Sequence, residues 1–228
     1  MTAIFVTGTG TDIGKTFVTA ALIRDYRRRG QSVTALKPVA SGFDQAQAEA
    51  SDPGALLAAL GETATSAALD RIAPWRFRAP LSPDMAAQRE GRSIDFTALL
   101  DHSRAAIAAA TDMLLIEGVG GVMVPLDARH TVIDWMTALR LPLIVVGGSY
   151  LGAISHALTA LEVLRRHELR IAAFVVNETP GSAVALDETA ATVARFAGGV
   201  AIVTLPRLAD TDRPQTAIRQ MTDLLDRL

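Results

Sequence analysis

The segment Gly8-Thr9-Gly10-Thr11-Asp12-Ile13-Gly14-Lys15-Thr16 constrains this chain more than any other. Before it, Ala3 to Thr7 is a short apolar run that reads as a strand. After it, Lys15 to Arg29 puts Phe17, Ala20, Ala21 and Leu22 on a helical repeat, with Gly30 as a stop. A glycine-rich turn between strand and helix aims backbone N–H groups inward, and the helix N-terminus adds positive potential. The turn is therefore a phosphate cradle, in which Lys15 meets β- and γ-phosphates and the Thr16 hydroxyl meets Mg²⁺. The strict pattern G-x-x-x-x-G-K-[ST] is not met, because Thr9 stands where its first glycine belongs. Counted from Gly8, the loop is one residue longer.

The rest of the chain repeats the strand–helix alternation. Val33–Val39, Met113–Glu117, Leu141–Val146, Ile171–Val176 and Val200–Leu205 read as strands. Helices are expected over Pro53–Leu60, from Ser82-Pro83, from Asp95 to Ala110, and over Thr131–Leu139, Leu151–Arg166, Ala183–Phe196 and Pro214–Leu228. Ser41 to Ser51 reads as a loop, and Asp52 as the N-cap of the helix that Pro53 opens. Short, continuously apolar strands separated by helices predict a parallel sheet covered on both faces. The expectation is one α/β domain over 1–228, a phosphate-loop fold with a mostly parallel central sheet of about seven strands and helices on both faces. Ligands bind beyond the carboxyl ends of such strands.

Composition sharpens the search at those ends. Of 22 basic residues, only Lys15 and Lys37 are lysine, and Asn177 is the sole asparagine. A compact ammonium where arginine is otherwise used throughout marks both lysines as functional, and neither is expected in the core. Lys37 would set a second cation over the crevice, facing a transferring phosphoryl group or a carboxylate-like co-substrate. Glu117 ends a strand before Gly118-Val119-Gly120-Gly121, where a carboxylate can hold Mg²⁺ directly or through water. Asn177 could read adenine N6 and N7 with its amide. Asp52, from local sequence, is explained by capping alone.

Other classes are excluded or demoted. No cysteine means no disulfide, thiolate metal site or cysteine nucleophile. A net charge of −2 gives no electrostatic footprint for nucleic acid or an anionic membrane. No export signal or apolar run of about 18–20 residues is visible, so a cytoplasmic protein is expected. His102, His130, His156 and His167 lack metal-ligand spacing. Arg27-Arg28-Arg29 reads as a solvated helix end, and Trp75 and Trp135 as core residues.

Together, several segments resemble the ATP-dependent dethiobiotin synthetase family from Phe5 to about Leu208. They are the lengthened loop ending Gly14-Lys15-Thr16, Lys37-Pro38-Val39-Ala40-Ser41-Gly42, Ser51-Asp52 and Ser82-Pro83. Further along come Glu117-Gly118-Val119-Gly120-Gly121, Asp134-Trp135, Leu151-Gly152-Ala153-Ile154-Ser155-His156 and Val176-Asn177. The resemblance implies carboxylation and ring closure of 7,8-diaminononanoate with CO₂, driven by ATP with Mg²⁺. It implies that Lys15, Lys37 and Thr11 meet the reacting groups and that Thr16, Asp52 and Glu117 hold the metal. ATP would be held by Asp12, Ile13, Gly14, Lys15, Thr16, Phe17, Asp52, Glu117, Gly118, Val119, Gly120, Asn177, Glu178, Pro206, Arg207 and Leu208. The diamine would meet Thr11, Lys37, Ser41, Gly120, Leu151, Gly152, Ala153 and Ser155. The last four belong to a segment that a homodimer would bring to the partner's substrate, where a helix N-terminus can take a carboxylate. The chain departs from the family at Gly10, Asp12 and Gly148-Ser149-Tyr150. Two rivals are a phosphate-loop amide-forming synthetase and a partitioning-type ATPase switch. The first usually carries a cysteine-dependent glutaminase domain. The second has an extra early loop lysine that Gly8 to Ile13 lacks.

Overall fold

A computed structural model describes residues 1–207 and 213–228. The chain runs β1 (Thr2–Gly8), α1 (Lys15–Arg28), β2 (Val33–Leu36), β3 (Val39–Ser41), α2 (Asp52–Leu60), α3 (Ser66–Ile72), β4 (Trp75–Phe77), α4 (Pro83–Arg89), α5 (Phe96–Ala109), β5 (Met113–Glu117), α6 (Val132–Leu139), β6 (Leu143–Gly147), α7 (Ala153–Arg166), β7 (Ile171–Asn177), α8 (Leu186–Phe196), β8 (Ile202–Leu205) and α9 (Arg213–Leu225). Six strands form one parallel sheet in the order β2-β5-β1-β6-β7-β8.

The main sheet therefore has six strands, not seven. The expected strand Val33–Val39 divides at Lys37-Pro38. The Lys37 N–H leaves the sheet to bond the Ile72 carbonyl at 2.9 Å, and the Pro38 carbonyl accepts the Trp75 N–H at 3.0 Å. Pro38 has no N–H to offer a ladder. Residues 39–41 then pair with β4 in a separate two-stranded parallel sheet. The elements α3 and β4, and a 3-10 turn over Gln45–Ala50, are additions to the expected set.

Helices on both faces explain the apolar strands. Every residue of β5 and β6 is buried. Trp135 is fully buried, edge-on to Phe5 with centroids 4.8 Å apart, and its indole N–H donates to Ser103 Oγ at 3.1 Å. Trp75 is only half-buried, so it belongs to the periphery of the core. Asp95 caps α5 as expected, accepting the Ala98 N–H at 3.1 Å.

One local expectation fails. The N-cap of α2 is Ser51, whose hydroxyl accepts the Gly54 N–H at 3.2 Å. Asp52 is thus the first helical residue, and its carboxylate is not used as a cap. The arginine run is exposed as expected, and two of its members also bond neighbouring elements. Arg27 donates to the Ala59 carbonyl at 2.8 Å, and Arg29 joins Asp25 (2.7 Å) to Asp226 (2.9 Å) between α1 and α9. Among the described residues no helix is long and apolar enough to cross a membrane.

Candidate active site

The carboxyl ends of β1, β2 and β5 surround a cavity of about 890 Å³. Thr11, Asp12, Gly14, Lys15, Thr16, Lys37, Ser41, Asp52, Val119 and Gly120 all line it, so residues far apart in sequence converge there. Ala40, Gly42, Ser51, Ser82 and Pro83 also line it and fall within segments already singled out, whereas Phe43, Pro80, Leu81 and Val124 do not. Ala40, Phe43, Pro80, Leu81 and Val124 add an apolar wall, contributed largely by the segments flanking the small β3–β4 sheet.

The loop is held by its own backbone and by a neighbour. Gly14 has φ 94°, a left-handed conformation, and a Cβ there would lie 2.2 Å from Asn177 Nδ2. Only glycine fits that approach. Asn177 Nδ2 donates to the Ile13 carbonyl at 2.9 Å, so the lone asparagine braces the loop from the end of β7. Asp12 also takes positive φ, at 56°, which an aspartate tolerates better than most residues. A Cβ at Gly10 would meet nothing within 4 Å, so there is open space beside it.

Both lysines are buried, contrary to expectation. Lys15 is 6% exposed and its Nζ donates to the Gly10 carbonyl at 2.6 Å. Burial lowers its pKa to about 8, and the Lys37 ammonium pushes the same way. Lys37 is 2% exposed, with Nζ 2.7 Å from Glu117 Oε1, 2.8 Å from the Gly118 carbonyl and 3.2 Å from Asp52 Oδ2. Burial alone would lower the Lys37 pKa, but Glu117 and Asp52 outweigh it and hold the ammonium charged. Asp52 is half-exposed; burial works to raise its pKa, yet Lys37 keeps it below the usual carboxylate range.

Glu117 is fully buried rather than standing at a solvated strand end. Its Oε1 accepts from Lys37 and from the Thr16 hydroxyl at 2.7 Å, while Oε2 has no hydrogen-bond partner. Ser41 Oγ is also buried without a partner. Thr9 Oγ1 and His102 Nε2 are likewise buried without a partner. Buried polar atoms are nearly always satisfied, so water or a ligand can complete the bonding at these positions. One hydroxyl and two carboxylates are hard oxygen donors, too few to cage an ion unaided but suited to Mg²⁺ carrying water and phosphate. Among the described residues no group of three or more His, Cys, Asp or Glu forms a metal cluster.

Other expected residues lie outside the cavity lining. Ile13, Phe17, Glu117, Gly118, Asn177, Glu178, Pro206 and Arg207 do not line it, although Glu117 bonds Lys37 and Thr16, which do. Glu178 accepts the Arg207 N–H at 2.8 Å, which ties the end of β7 to the segment after β8. Leu208 falls outside the described residues. Leu151, Gly152, Ala153 and Ser155 open α7 away from the cavity, with the helix starting at Ala153 because Gly152 takes φ 95°. Leu151 is 92% exposed.

Known proteins share both the architecture and the sequence. The septum site-determining protein MinD complexed with Mg-ADP from Pyrococcus horikoshii superposes with a TM-score of 0.57 at 14% identity, covering 98% of this chain and 95% of that one. The hydrogenase maturation factor HypB from Archaeoglobus fulgidus gives 0.53 at 14% identity, covering 99% and 90%. At such identities the likeness is one of fold. A family model described as an AAA domain matches residues 2–215. ATP-dependent dethiobiotin synthetase BioD of Phenylobacterium zucineum is 53% identical over 209 residues, spanning 91% of this chain and 89% of that protein. The protein of the same name from Methylobacterium nodulans is 51% identical over 203 residues, spanning 87% and 90%. Identity above one half over nine-tenths of the chain goes far beyond a shared fold, and this chain belongs to the ATP-dependent dethiobiotin synthetase family.

Proposed function

We propose that the chain converts 7,8-diaminononanoate, CO₂ and ATP into dethiobiotin, ADP and phosphate, with Mg²⁺. One observation carries this reading within the family. Two ammonium groups, Asp52 and the unpartnered Ser41 Oγ lie together at one cavity whose lining is otherwise largely apolar, and Glu117 is bonded to one of those ammonium groups. The polar floor suits a carbamate beside a triphosphate, and the apolar wall suits a methylene chain.

One amine of the substrate adds to CO₂ and loses a proton, forming a carbamate. A carbamate oxygen attacks the γ-phosphorus, ADP leaves, and a carbamic–phosphoric anhydride forms. The second amine attacks the carbamoyl carbon, loses a proton and expels phosphate, which closes the cyclic urea. Lys15 neutralises the β- and γ-phosphates. Lys37 faces the carbamate and the transferring phosphoryl group. Thr11, Ser41 and the Gly120 backbone orient the diamine and its carbamate. Mg²⁺ held by Thr16, Asp52 and Glu117 would offset charge on the phosphates. No general-base dyad is required, because positioning and charge stabilisation supply most of the rate enhancement. Asn177, Glu178, Pro206, Arg207 and Leu208 hold the adenine side. Leu151 to Ser155 act from a second copy, taking the substrate carboxylate at the N-terminus of α7, so the working form is a homodimer.

Incubation with ATP, Mg²⁺, labelled bicarbonate and the diamine tests the reaction. Acid-stable label in a cyclic urea, dependent on both ATP and diamine, is expected. ATP hydrolysis indifferent to the diamine, with no label fixed, would contradict it.

A further inference from the structure

We propose that Lys37 is the resident cation of the metal site. Its ammonium occupies the place between Glu117 and Asp52 that a divalent ion would take, so the ion enters only together with the nucleotide. This rests on Glu117, Asp52 and Thr16 being the metal-holding residues.

The geometry is that of a cation site already filled. An ammonium has three donors and no acceptor. Lys37 has three oxygen partners, Glu117 Oε1 at 2.7 Å, the Gly118 carbonyl at 2.8 Å and Asp52 Oδ2 at 3.2 Å. Two of these three oxygens belong to carboxylates needed by the metal. Thr16, the third metal-holding residue, donates its hydroxyl to the same Glu117 Oε1 at 2.7 Å. All three metal-holding side chains thus converge on one ammonium or its partner.

Charge balance gives the order of entry. At the metal-holding carboxylates Lys15 and Lys37 match Asp52 and Glu117, while Asp12 adds a third carboxylate to the cavity's lining. A divalent ion arriving alone would upset that balance and meet the Lys37 ammonium at short range in a buried setting, where repulsion is weakly screened. A nucleoside triphosphate brings more negative charge than the ion brings positive. Its γ-phosphate also offers Lys37 new acceptors across the cavity. Departure of the ammonium toward the phosphoryl group and release of the carboxylates to the metal are then one motion. Lys37 reaches the reacting atoms only once metal and nucleotide are both in place.

Two measurements test this, and neither includes the diamine or CO₂. In the first, Mn²⁺ alone is titrated at pH 8 into the intact chain and into Lys37→Met, with free Mn²⁺ read by electron paramagnetic resonance. The variant is expected to bind Mn²⁺ without nucleotide on the order of tenfold or more tightly than the unaltered chain, within the usual range of coupling between sites. Equal Mn²⁺ affinity in a folded Lys37→Met chain would overturn the proposal. The second uses the unaltered chain and decides alone if that variant does not fold. With only two lysines, ¹⁵N-lysine labelling gives two side-chain ammonium groups to follow. The Lys37 signal should ignore Mg²⁺ alone and shift with Mg²⁺ plus a non-hydrolysable ATP analogue. A shift with Mg²⁺ alone, or none with both, would overturn the proposal. Failure of the labelled-bicarbonate assay would remove the proposed reaction and leave these outcomes untouched.

Discussion

Lys15 sits in the loop with a pKa brought down to about 8, first by burial and then by Lys37. Bound phosphates raise that value by supplying opposite charge. Nucleotide affinity should therefore be full below pH 8 and weaken as pH rises through it, because the free chain sheds a proton that the complex must regain. Calorimetry at pH 8.5 in two buffers of different ionisation enthalpy should show uptake of a fraction of a proton on nucleotide binding, and none in Lys15→Met. Uptake unchanged in that variant would assign the proton elsewhere. The loop around Lys15 was legible because its residues are contiguous and a strand and helix bracket them. The burial of the lysines was not. Lys37 meets Glu117 across 80 positions of sequence, and such a pairing has no local signature. Asp52 shows the same limit: its neighbour Ser51 takes the cap, and only the convergence with Lys37 reveals what the carboxylate faces.

At the scale of elements, the apolar runs announced every strand of the main sheet, since a parallel sheet buried on both faces leaves no alternation to misread. The short pieces were hidden for the opposite reason. β4 is three residues, Trp75 to Phe77, that become a strand only because 39–41 lies beside them. The packing of α9 onto α1 was also invisible in sequence. Arg29 bonds Asp25 and Asp226 and contacts Thr222, and the Tyr26 hydroxyl donates to Asp226 at 3.1 Å. Arg28, whose side chain is 62% exposed, touches only Asp25 among these. Arg29→Ala should lower stability by about 1–2 kcal/mol, because a part-buried acid loses a charged hydrogen bond. Arg28→Ala should cost less than about 1 kcal/mol, as an exposed pair does. Urea midpoints at constant slope measure both. Equal losses would mean that α9 is not held by this clasp.

At the scale of the whole molecule, the cavity and the α7 N-terminus lie apart within one chain, with Leu151 exposed beside Gly152. A shared-site dimer predicts complementation. A Lys15→Ala chain mixed with a Gly152→Trp chain puts both lesions in one site of the heterodimer and leaves the other intact, so activity should return. No recovery despite heterodimer formation, or full activity in a monomer by light scattering, would refute sharing. Fold and family were readable from the chain because its main motifs sit at strand ends that the sheet must gather, and the others at helix starts beside them. The central claim is chemical, that a carbamate oxygen attacks the γ-phosphorus and leaves with it. Rapid-quench turnover with ¹⁸O-labelled CO₂, ATP and the diamine tests it most directly, by mass spectrometry of the released phosphate. One labelled oxygen per phosphate is the predicted result; phosphate whose new oxygen comes from water would contradict it.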